Sequence, residues 1–554
     1  MPIQNGIEFE WPDDRLHDGI RQDATESVLR YRLIRNANWK NIGALTKDLG
    51  IRQINTDQPG SGAYDCRAGL DAVFNNDTQI LLGAIAKSGG TDLHSLDVST
   101  RKLGSSIATL ADTVPDMLMF ADKVHIIDGT TLRTMTSGKV FATPGDGTYA
   151  NPCSFGTVYA NRLILAGNST YPFNFFPSGV RDSATWDGSL APTVTSVAGE
   201  EVKCLGVCGS FLIVGGRTYT RAYYLGTASP RDWDWEEVSS LTGPISHRSF
   251  VHVPRAKGLS GRNYSFFWSD NGPMMLAQVG QAIPALYDLW RPIEQSVRGV
   301  EHQSMPALDR SAFDEVEAVY VPEYNEVRFT CRKLSSPAAT QNDIILCVDV
   351  ETAIDFSMGE AGYPFWRIRD NPSVSIASSC TFLARMADNT ALPSVTGVPK
   401  AIVGKDGIFY QMDSVNQYVD DPSGAVVPFY VRRDGFDGHG DGIRERTKSP
   451  RRIYIRSNQT GAFTITAQLV TDGGKIVTPT EISLDEGLAL WSTDSVDGTW
   501  GDGTAWNAGE FSVKRGGLAG PGKKFDLELF DDGNILDDFQ INSLTLAGIV
   551  EDRR

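Results

Sequence analysis

The histidines and cysteines of this sequence offer few spacings that could bind a metal ion. His247 and His252 stand five residues apart and could form a metal-binding pair, while Cys204 and Cys208 have no second cysteine pair nearby. None of the seven histidines belongs to an HExxH motif or a comparable ligand spacing. Two histidines in a loop or strand, and two buried cysteines on a strand, are the favoured interpretations. The sequence therefore predicts no metal site and no cofactor.

A run of three aspartates among glycines, Asp434–Gly442, could wrap a calcium ion through carboxylate and carbonyl oxygens. It lacks the closing bidentate glutamate of an EF-hand, and the run does not repeat as calcium-binding β-roll motifs do. An acidic loop is the favoured interpretation, and calcium binding at Asp434–Asp441 stays open.

Motifs for nucleophilic or phosphate chemistry are missing from the sequence. It contains no GxSxG elbow and no Walker lysine motif. Ser495–Trp500 resembles a shortened Asp-box hairpin of sialidase propellers, but it occurs once, and the arginine cluster and carboxylates of a glycosidase cannot be identified. We therefore predict that the protein is not an enzyme, with a glycosidase as a minor alternative.

The segment Arg444–Arg456 is a densely basic stretch in a chain whose formal charge is −17. It could contact phosphate or an acidic neighbouring subunit. The alternative is a solvated strand edge whose charges guard against aggregation. We predict an assembly contact formed by Arg444, Arg446, Lys448, Arg451, Arg452 and Arg456.

Composition limits the class of protein in which these residues lie. A chain of 554 residues with 41% hydrophobic residues can bury a large core. Its negative charge disfavours binding of DNA over the whole surface, because phosphates would be repelled. Seven cysteines are too sparse for a disulfide framework and fit a reducing cytoplasm. No signal peptide is recognisable, and no apolar stretch approaches the roughly 20 residues that span a bilayer, so we expect no membrane anchor.

The pattern that dominates the chain is a short β-branched or aromatic run, a turn with Gly, Asn or Asp, and a second such run. This is the signal of a β-hairpin, because these turn residues tolerate positive φ. Helical periodicity is scarce, so we expect helix below about 15%. The hairpins begin near residues 80, 124, 163, 212, 266, 318, 344 and 401.

Most of these starts are about 40–55 residues apart, which is the repeat length of a propeller blade. The single short gap, from 318 to 344, indicates two hairpins in one sheet. The sequence thus predicts an all-β chain with a β-propeller of six or seven blades over residues 51–420. A set of unrelated β-sandwich domains is the alternative.

After residue 420 the strands alternate apolar and polar residues, as half-buried antiparallel strands do. We predict a C-terminal β-sandwich over residues 421–554. Residues 1–50 precede the first clear blade, and we expect this N-terminal segment to pack with the C-terminal domain.

The sequence resembles the tail nozzle (tail hub, or tail tubular) proteins of short-tailed bacteriophages. An asparagine-rich phrase, a Gly-Ala-Leu strand and a turn at Lys47–Gly50 follow one another in Arg35–Gly50, although the family's Arg-Pro is absent from the turn. Asp92–Thr100 resembles the family's first blade, where a strand ends in an Asp-x-Ser/Thr turn. The C-terminal part of the sequence resembles the closing sandwich of that family at Arg451–Arg456, Trp500, Trp506 and Gly517–Leu529.

This resemblance implies a structural virion protein, made in the host bacterial cytoplasm and located in the tail. Six copies would form a ring below the portal and the adaptor (the head-to-tail connector ring). The ring would continue the channel for genome ejection, with double-stranded DNA passing through its lumen without sequence-specific binding, and would carry tail fibres or spikes outside. The family pattern contains no catalytic residues. A β-propeller lectin or a protein-binding module is the competing class.

Overall fold

The computed structural model shows a chain that is 54% strand and 9% helix, which confirms the predicted all-β class with little helix. Two units are separated by their internal contacts: residues 51–364 with 375–415, here called the propeller unit, and residues 1–50 with 365–374 and 416–554, here called the two-sheet unit. The structure describes residues 7–13, 30–38, 45–58, 65–97, 99–144, 148–194, 199–224, 229–254, 262–300, 306–335, 341–359, 364–370, 380–387, 392–413, 419–420, 425–426, 428–436, 447–458, 464–471, 476, 479–483, 511–517, 525–531 and 540–551.

The propeller unit consists of seven antiparallel blades that follow one another along the chain. Tight turns such as Asp406-Gly407, with φ of 50° and 76°, join neighbouring strands, because positive φ at both positions matches the twist of a hairpin. The strands are Cys66–Val73, Gln79–Lys87, Gly90–Asp97 and Ala108–Leu110, with Lys102–Leu103 beside the third (blade 1); Asp116–Phe120, Lys123–Ile127, Leu132–Met135 and Phe141–Ala142 (blade 2); Phe155–Tyr159, Arg162–Ala166, Phe176–Gly179 and Asp182–Trp186 (blade 3); Cys204–Cys208, Phe211–Gly215, Thr220–Tyr224 and Trp235–Ser239 (blade 4); Val251–Val253, Arg262–Ser269, Gly272–Val279 and Ala285–Asp288 (blade 5); Glu317–Val321, Glu326–Cys331 and Ile344–Asp349 (blade 6); and Cys380–Ala387, Val398–Lys405 and Ile408–Gln411, with Leu392–Pro393 beside the first (blade 7).

The seven blades form a closed ring. The first strand of each blade contacts the first strand of the next blade, and the first strand of blade 7 contacts that of blade 1. Seven blades lie within the predicted number of six or seven. The two hairpins predicted to share a sheet, at residues 318 and 344, both contribute to blade 6.

The run Val350–Ile354, which the sequence predicts as the second strand of a hairpin, is instead part of the helix Val350–Met358. Asp349 caps this helix, because its carboxylate accepts a hydrogen bond from Thr352 N at 2.7 Å. Gly359 ends it in the left-handed conformation, at φ 73°. The other helices are Gly188–Leu190, Pro230–Asp232, His247–Ser249, Arg291–Ile293 and Arg310–Glu315, all of 3-10 type, and Glu294–Val297. None of the described helices is long and apolar enough to cross a membrane.

Blade 7 takes its outer strand from the N-terminal side of the propeller unit. Arg52 and Gln53 pair with the strand Ile408–Gln411, and Ile54 N donates to Phe409 O at 2.8 Å. Because the strands of blade 7 are otherwise far along the chain, this pairing joins the two ends of the ring.

The buried side chain of Asn55 extends the same seam. Its Oδ1 accepts a hydrogen bond from Phe409 N at 2.7 Å, and its Nδ2 donates to Gly407 O at 3.0 Å. One amide side chain therefore satisfies a backbone donor and a backbone acceptor at the turn of blade 7.

The two-sheet unit combines strands from both ends of the chain. Ile7–Asp13 pairs antiparallel with Gln540–Glu551. In the first sheet the strands follow the order Ala37–Asn38, Leu45–Lys47, Gln540–Glu551, Thr447–Asn458, Phe511–Gly517. In the second sheet the order is Trp366–Arg369, Arg30–Arg35, Tyr430–Phe436, Phe525–Phe530, Thr464–Thr471, Thr480–Ser483. A separate pair of short strands is formed by Val419–Asp420 and Ala425–Val426.

Residues 365–374 belong to this unit, whereas the sequence-based boundaries assign them to the propeller. The strand Trp366–Arg369 pairs in parallel with Arg30–Arg35, with Arg35 opposite Ile368. Such a pairing is nonlocal, and a short aromatic run gives no sequence signal of which sheet it will join.

A buried polar cluster joins the three chain segments of the two-sheet unit. Asn36, which has a φ of 53°, donates from Nδ2 to Pro428 O at 2.7 Å and accepts at Oδ1 from Asp370 N at 2.8 Å. Lys47 Nζ lies 3.0 Å from Asp531 Oδ2, and Asp48 Oδ2 lies 2.5 Å from Arg367 Nη1; all four side chains are fully buried.

Burial of Lys47 lowers its pKa, and the Asp531 carboxylate partly opposes that shift. The free-energy cost of removing such a charge from water is offset only when its oppositely charged partner is in place. The two ion pairs therefore join the N-terminal segment to each of the other two segments.

We expect Asn55→Ala to destabilise the propeller unit by about 3 kcal/mol, since the backbone groups of Phe409 and Gly407 would lose their partner in a buried site. Chemical denaturation with hydrogen exchange at residues 407–409 measures this. The control is Asn76→Ala on an exposed turn of blade 1, which should stay within about 0.5 kcal/mol of wild type. Equal stability of the two variants would contradict the role of Asn55.

Acid should destabilise the propeller unit through His125. This side chain is fully buried in blade 2, edge-on to Phe120, and burial lowers its pKa from 6.5 to about 4. Between pH 6.5 and about 4 this histidine is protonated in the unfolded chain but stays neutral in the folded chain. The free energy of unfolding therefore decreases as the pH falls from about 6.5 to about 4, by up to about 3 kcal/mol. His125→Phe should remove this part of the pH dependence of the free energy of unfolding. Parallel curves for the two proteins would contradict the assignment.

Candidate functional site: the central cavity of the propeller unit

A cavity of about 410 Å³ lies where the first strands of the seven blades begin. Each blade contributes residues at or just before the start of its first strand, so the ring itself assembles the lining. The charged side chains around it are Arg67, Asp116, Lys203, His247, Arg248, Asp314 and Glu317. Polar groups that converge on a concave site of this size are typical of a ligand-binding site.

On one side of the cavity an imidazole and a carboxylate face each other. His247 Nε2 lies 3.3 Å from Asp116 Oδ2, and that oxygen also accepts a hydrogen bond from Gly156 N at 2.8 Å. Leu205 N donates to His247 Nδ1 at 3.4 Å, which assigns the ring proton to Nε2. The imidazole also stacks on Phe155, with ring centroids 4.9 Å apart. His247 is therefore fixed in position, and both of its nitrogens are engaged.

On another side a buried carboxylate is held by a cation. Arg248 Nη1 donates to Glu317 Oε1 at 2.6 Å, and the second carboxylate oxygen accepts from Thr381 N. Burial raises the pKa of Glu317, whereas the Arg248 guanidinium and the hydrogen bond from Thr381 lower it. One third of the Arg248 side chain remains exposed, so this guanidinium can meet a ligand.

The other two cations of the cavity, Arg67 and Lys203, are also paired. Arg67 Nη2 is 2.7 Å from Asp112 Oδ1, and its Nη1 donates to Thr91 Oγ1 at 2.6 Å. Lys203 pairs with Glu201, and both side chains of that pair are largely solvent-accessible. These charges shape the field at the cavity, but exposed pairs of this kind add little to stability.

Two of the candidate ligands considered from the sequence are separated by the structure. His247 lines the cavity, whereas the His252 Nδ1 contacts Ser265 Oγ at 3.2 Å within blade 5. Burial lowers the pKa of His252. Cys204 and Cys208 are free and buried on the first strand of blade 4. Among the residues that the structure describes, no group of three or more His, Cys, Asp or Glu is arranged to hold a metal ion.

The basic stretch lies partly on the strand Thr447–Asn458, which carries Lys448, Arg451, Arg452 and Arg456. Arg452–Asn458 pairs with Phe511–Gly517 on one side and with Gln540–Glu551 on the other. The alternative of a strand edge is therefore wrong for this part of the stretch.

Some sequence-based predictions lie outside the described residues: Arg444, Arg446, the proposed calcium run beyond Phe436, and the hairpin Ser495–Trp500. An assembly contact at the basic stretch stays a prediction.

Sequence reasoning missed the cavity-lining residues Asp116, Arg248 and Glu317. A weak signal exists for Asp116 and Glu317, because each begins a first strand. Arg248 instead lies in the short helix His247–Ser249 before its strand. Most of the predicted hairpins begin at the second strand of a blade, so the hairpin pattern marks few of the first strands.

The fold and the cavity define the class: a seven-bladed β-propeller accompanied by a second all-β unit. No family model and no curated protein matches the chain. Among solved structures, it is similar to virginiamycin B lyase from Staphylococcus aureus, at 5% identity and a TM-score of 0.39 over 66% of this chain and 99% of that chain.

Two further structures show comparable similarity. The first is the N-terminal domain of Nup159, at 10% identity and a TM-score of 0.32 over 66% of this chain and 95% of that chain. The second is the WD40 domain of Neurospora crassa Pan2, at 8% identity and a TM-score of 0.36 over 67% of this chain and 96% of that chain. The blade number is read from the seven sheets and the contacts of their first strands.

We expect Arg248→Met to destabilise the propeller unit by about 2 kcal/mol at pH 7, because Glu317 would stay buried without its cation. Loss of Arg248 raises the pKa of this carboxyl further, so the cost should shrink as pH falls and the group becomes neutral. The double variant Arg248→Met/Glu317→Gln should recover most of the loss in chemical denaturation. A double variant no more stable than the single one would contradict the pairing.

Proposed function

We propose that this protein is a tail nozzle component of a short-tailed bacteriophage, a structural virion protein that forms a ring and continues the channel for genome ejection. The proposal rests on the resemblance of Arg35–Gly50 to the opening segment of that family. One structural observation supports it: Asn36, Lys47 and Asp48 of this phrase supply the buried polar cluster of the two-sheet unit. Residues that specify a fold are expected to carry a family resemblance without any catalytic role.

The architecture agrees with what the resemblance implies. That family combines a propeller with a closing β-sandwich, and this chain combines a seven-bladed propeller with a two-sheet unit. Rigid sheets of this kind suit a protein that bears load in an assembly, and the proposal assigns it no enzymatic activity and no cofactor.

The charge of the chain suits a DNA channel. Double-stranded DNA carries one negative charge per roughly 1.7 Å of its axis, and a basic lining would hold it by many phosphate contacts. Each subunit has a formal charge of −17, so an acidic or neutral lumen would repel the duplex weakly and let it slide. In this proposal six copies form the ring, the adaptor ring lies above it, and tail fibres or spikes attach outside.

The oligomeric state of the purified full chain tests this proposal. Mass photometry and negative-stain electron microscopy should show sixfold rings with a central opening, alone or after mixing with an adaptor protein from the same phage. A monomer at micromolar concentration that joins no adaptor would overturn the proposal.

The basic stretch provides a second test. We expect Arg451→Glu/Arg452→Glu to weaken ring or particle assembly, and more strongly at low salt, because screening is then least. The control is Arg181→Glu/Arg231→Glu, which makes the same charge change at exposed positions of the propeller unit. Normal assembly with an altered rate of DNA ejection would place the stretch in the channel wall instead.

A ligand-binding propeller, such as a lectin or a protein-binding module, is the second candidate, and the central cavity favours it. Arg248 and His247 present fixed polar groups there. A thermal-shift screen of sugars, carboxylates and acidic peptides, repeated with Arg248→Met, tests this function. Hits that survive the substitution would place the binding elsewhere.

A further inference from the structure

Two buried cysteines meet where blade 7 packs on blade 1. Cys66 begins the first strand of blade 1 and Cys380 begins that of blade 7, and their exposed fractions are 0% and 1%. The Cys380 thiol hydrogen-bonds Cys66. Both belong to the apolar core between these blades, together with Ile54 of the closing segment. Although 314 positions separate them in sequence, the two thiols are neighbours.

Gly404 of blade 7 makes room for this pair. A Cβ at that position would lie 2.5 Å from Cys380 Sγ and 2.6 Å from Cys66 Cβ. Both side chains therefore fill the space that a larger residue would occupy. Cys380 Sγ and Cys66 Cβ thus both lie within 2.6 Å of one point, which makes the two side chains close neighbours. A disulfide between them requires Cβ atoms about 3.5–4.5 Å apart.

The other five cysteines offer no comparable pairing, and Cys153 lies in an apolar cluster that contains no second cysteine. Cys204 and Cys208 are four residues apart on one extended strand, which separates them by roughly 13 Å. Cys331 and Cys347 lie on adjacent strands but face Ile344 and Arg328, not each other. None of the seven cysteines forms a disulfide in this structure.

We propose that Cys66 and Cys380 are an oxidation site at which a disulfide joins blade 1 to blade 7. The oxidant is a small peroxide, and Cys380 is one of the residues that line the central cavity, from which such a molecule would approach. Hydrogen peroxide converts the Cys380 thiolate to a sulfenic acid and leaves as hydroxide. The Cys66 sulfur then attacks the oxidised sulfur, the S–S bond forms, and water leaves. Two thiols thus supply two electrons that reduce one peroxide to two waters.

The site lies at the seam where the ring is closed by hydrogen bonds between residues 52–55 and blade 7. A covalent bond between the first strands of blades 1 and 7 fixes the same junction from inside the ring. In a reducing compartment the pair stays as thiols, and burial raises the pKa of Cys380, so oxidation is slow. This inference does not depend on the function proposed above.

The test uses the purified full chain, reduced and then exposed to hydrogen peroxide. Ellman's reagent in denaturant should count seven thiols before oxidation and five after it. Proteolysis without reductant should give a peptide that links Cys66 to Cys380. The midpoint of thermal unfolding should rise by roughly 5 °C and return when dithiothreitol is added.

The variants Cys66→Ser and Cys380→Ser should each abolish the linked peptide and the thermal shift, whereas Cys204→Ser should keep both. If a variant at the pair does not fold, peptide mapping of the wild-type chain alone decides. Seven thiols remaining after oxidation, a linkage between other cysteines, or a sulfinic acid in place of the disulfide would overturn the proposal.

Discussion

The short segment at residues 52–56 closes the ring, because it hydrogen-bonds to blade 7 on one side and to blade 1 on the other. Ile54 N donates to Phe409 O, while Thr56 N donates to Arg101 O at 2.7 Å. Within the described part of the ring, each blade packs on the blade before it and the blade after it. Loss of this seam would therefore expose the apolar core between blades 1 and 7. The central cavity depends on the same closure, since all seven blades line it.

The two-sheet unit is specified differently. There a cluster of buried ions and one asparagine joins segments that lie hundreds of residues apart. A buried ion pair contributes little net stability compared with an apolar substitute, but removing one partner is costly. The pairs of Lys47 with Asp531 and of Asp48 with Arg367 therefore select one arrangement of three segments over other strand registers. This gives Asn36, Lys47 and Asp48 a structural role as buried polar residues.

Local chemistry explains what could be predicted from the sequence. The turn Asp406-Gly407 can be recognised in the sequence, because aspartate and glycine tolerate the positive φ that a tight hairpin turn requires. In the hairpin predicted to begin near residue 163, the second strand is Phe176–Gly179, which follows a connecting loop. The helix after Asp349 was missed because its apolar residues suit a strand equally well, and a single capping hydrogen bond decides the outcome.

The candidate site could not be predicted in the same way. Asp116 and His247 are 131 positions apart, and only the circular arrangement of blades brings them to 3.3 Å. The predicted basic residues on Thr447–Asn458 show the converse: their spacing was visible, but their place between two neighbouring strands depends on partners near residues 511 and 540. Sequence patterns reveal hairpins, whereas neighbours across a ring or a sheet come from nonlocal packing.

The seam has a consequence for the order of synthesis. Residues 52–55 leave the ribosome early, yet their partners at 407–411 follow about 350 residues later, which at roughly 5–20 residues per second is a delay of tens of seconds. Ile7–Asp13 waits still longer for Gln540–Glu551. During that time both N-terminal strands are unpaired edges, which are templates for association with other chains. Each of these two strands therefore needs protection from other chains until its partner strand has been made.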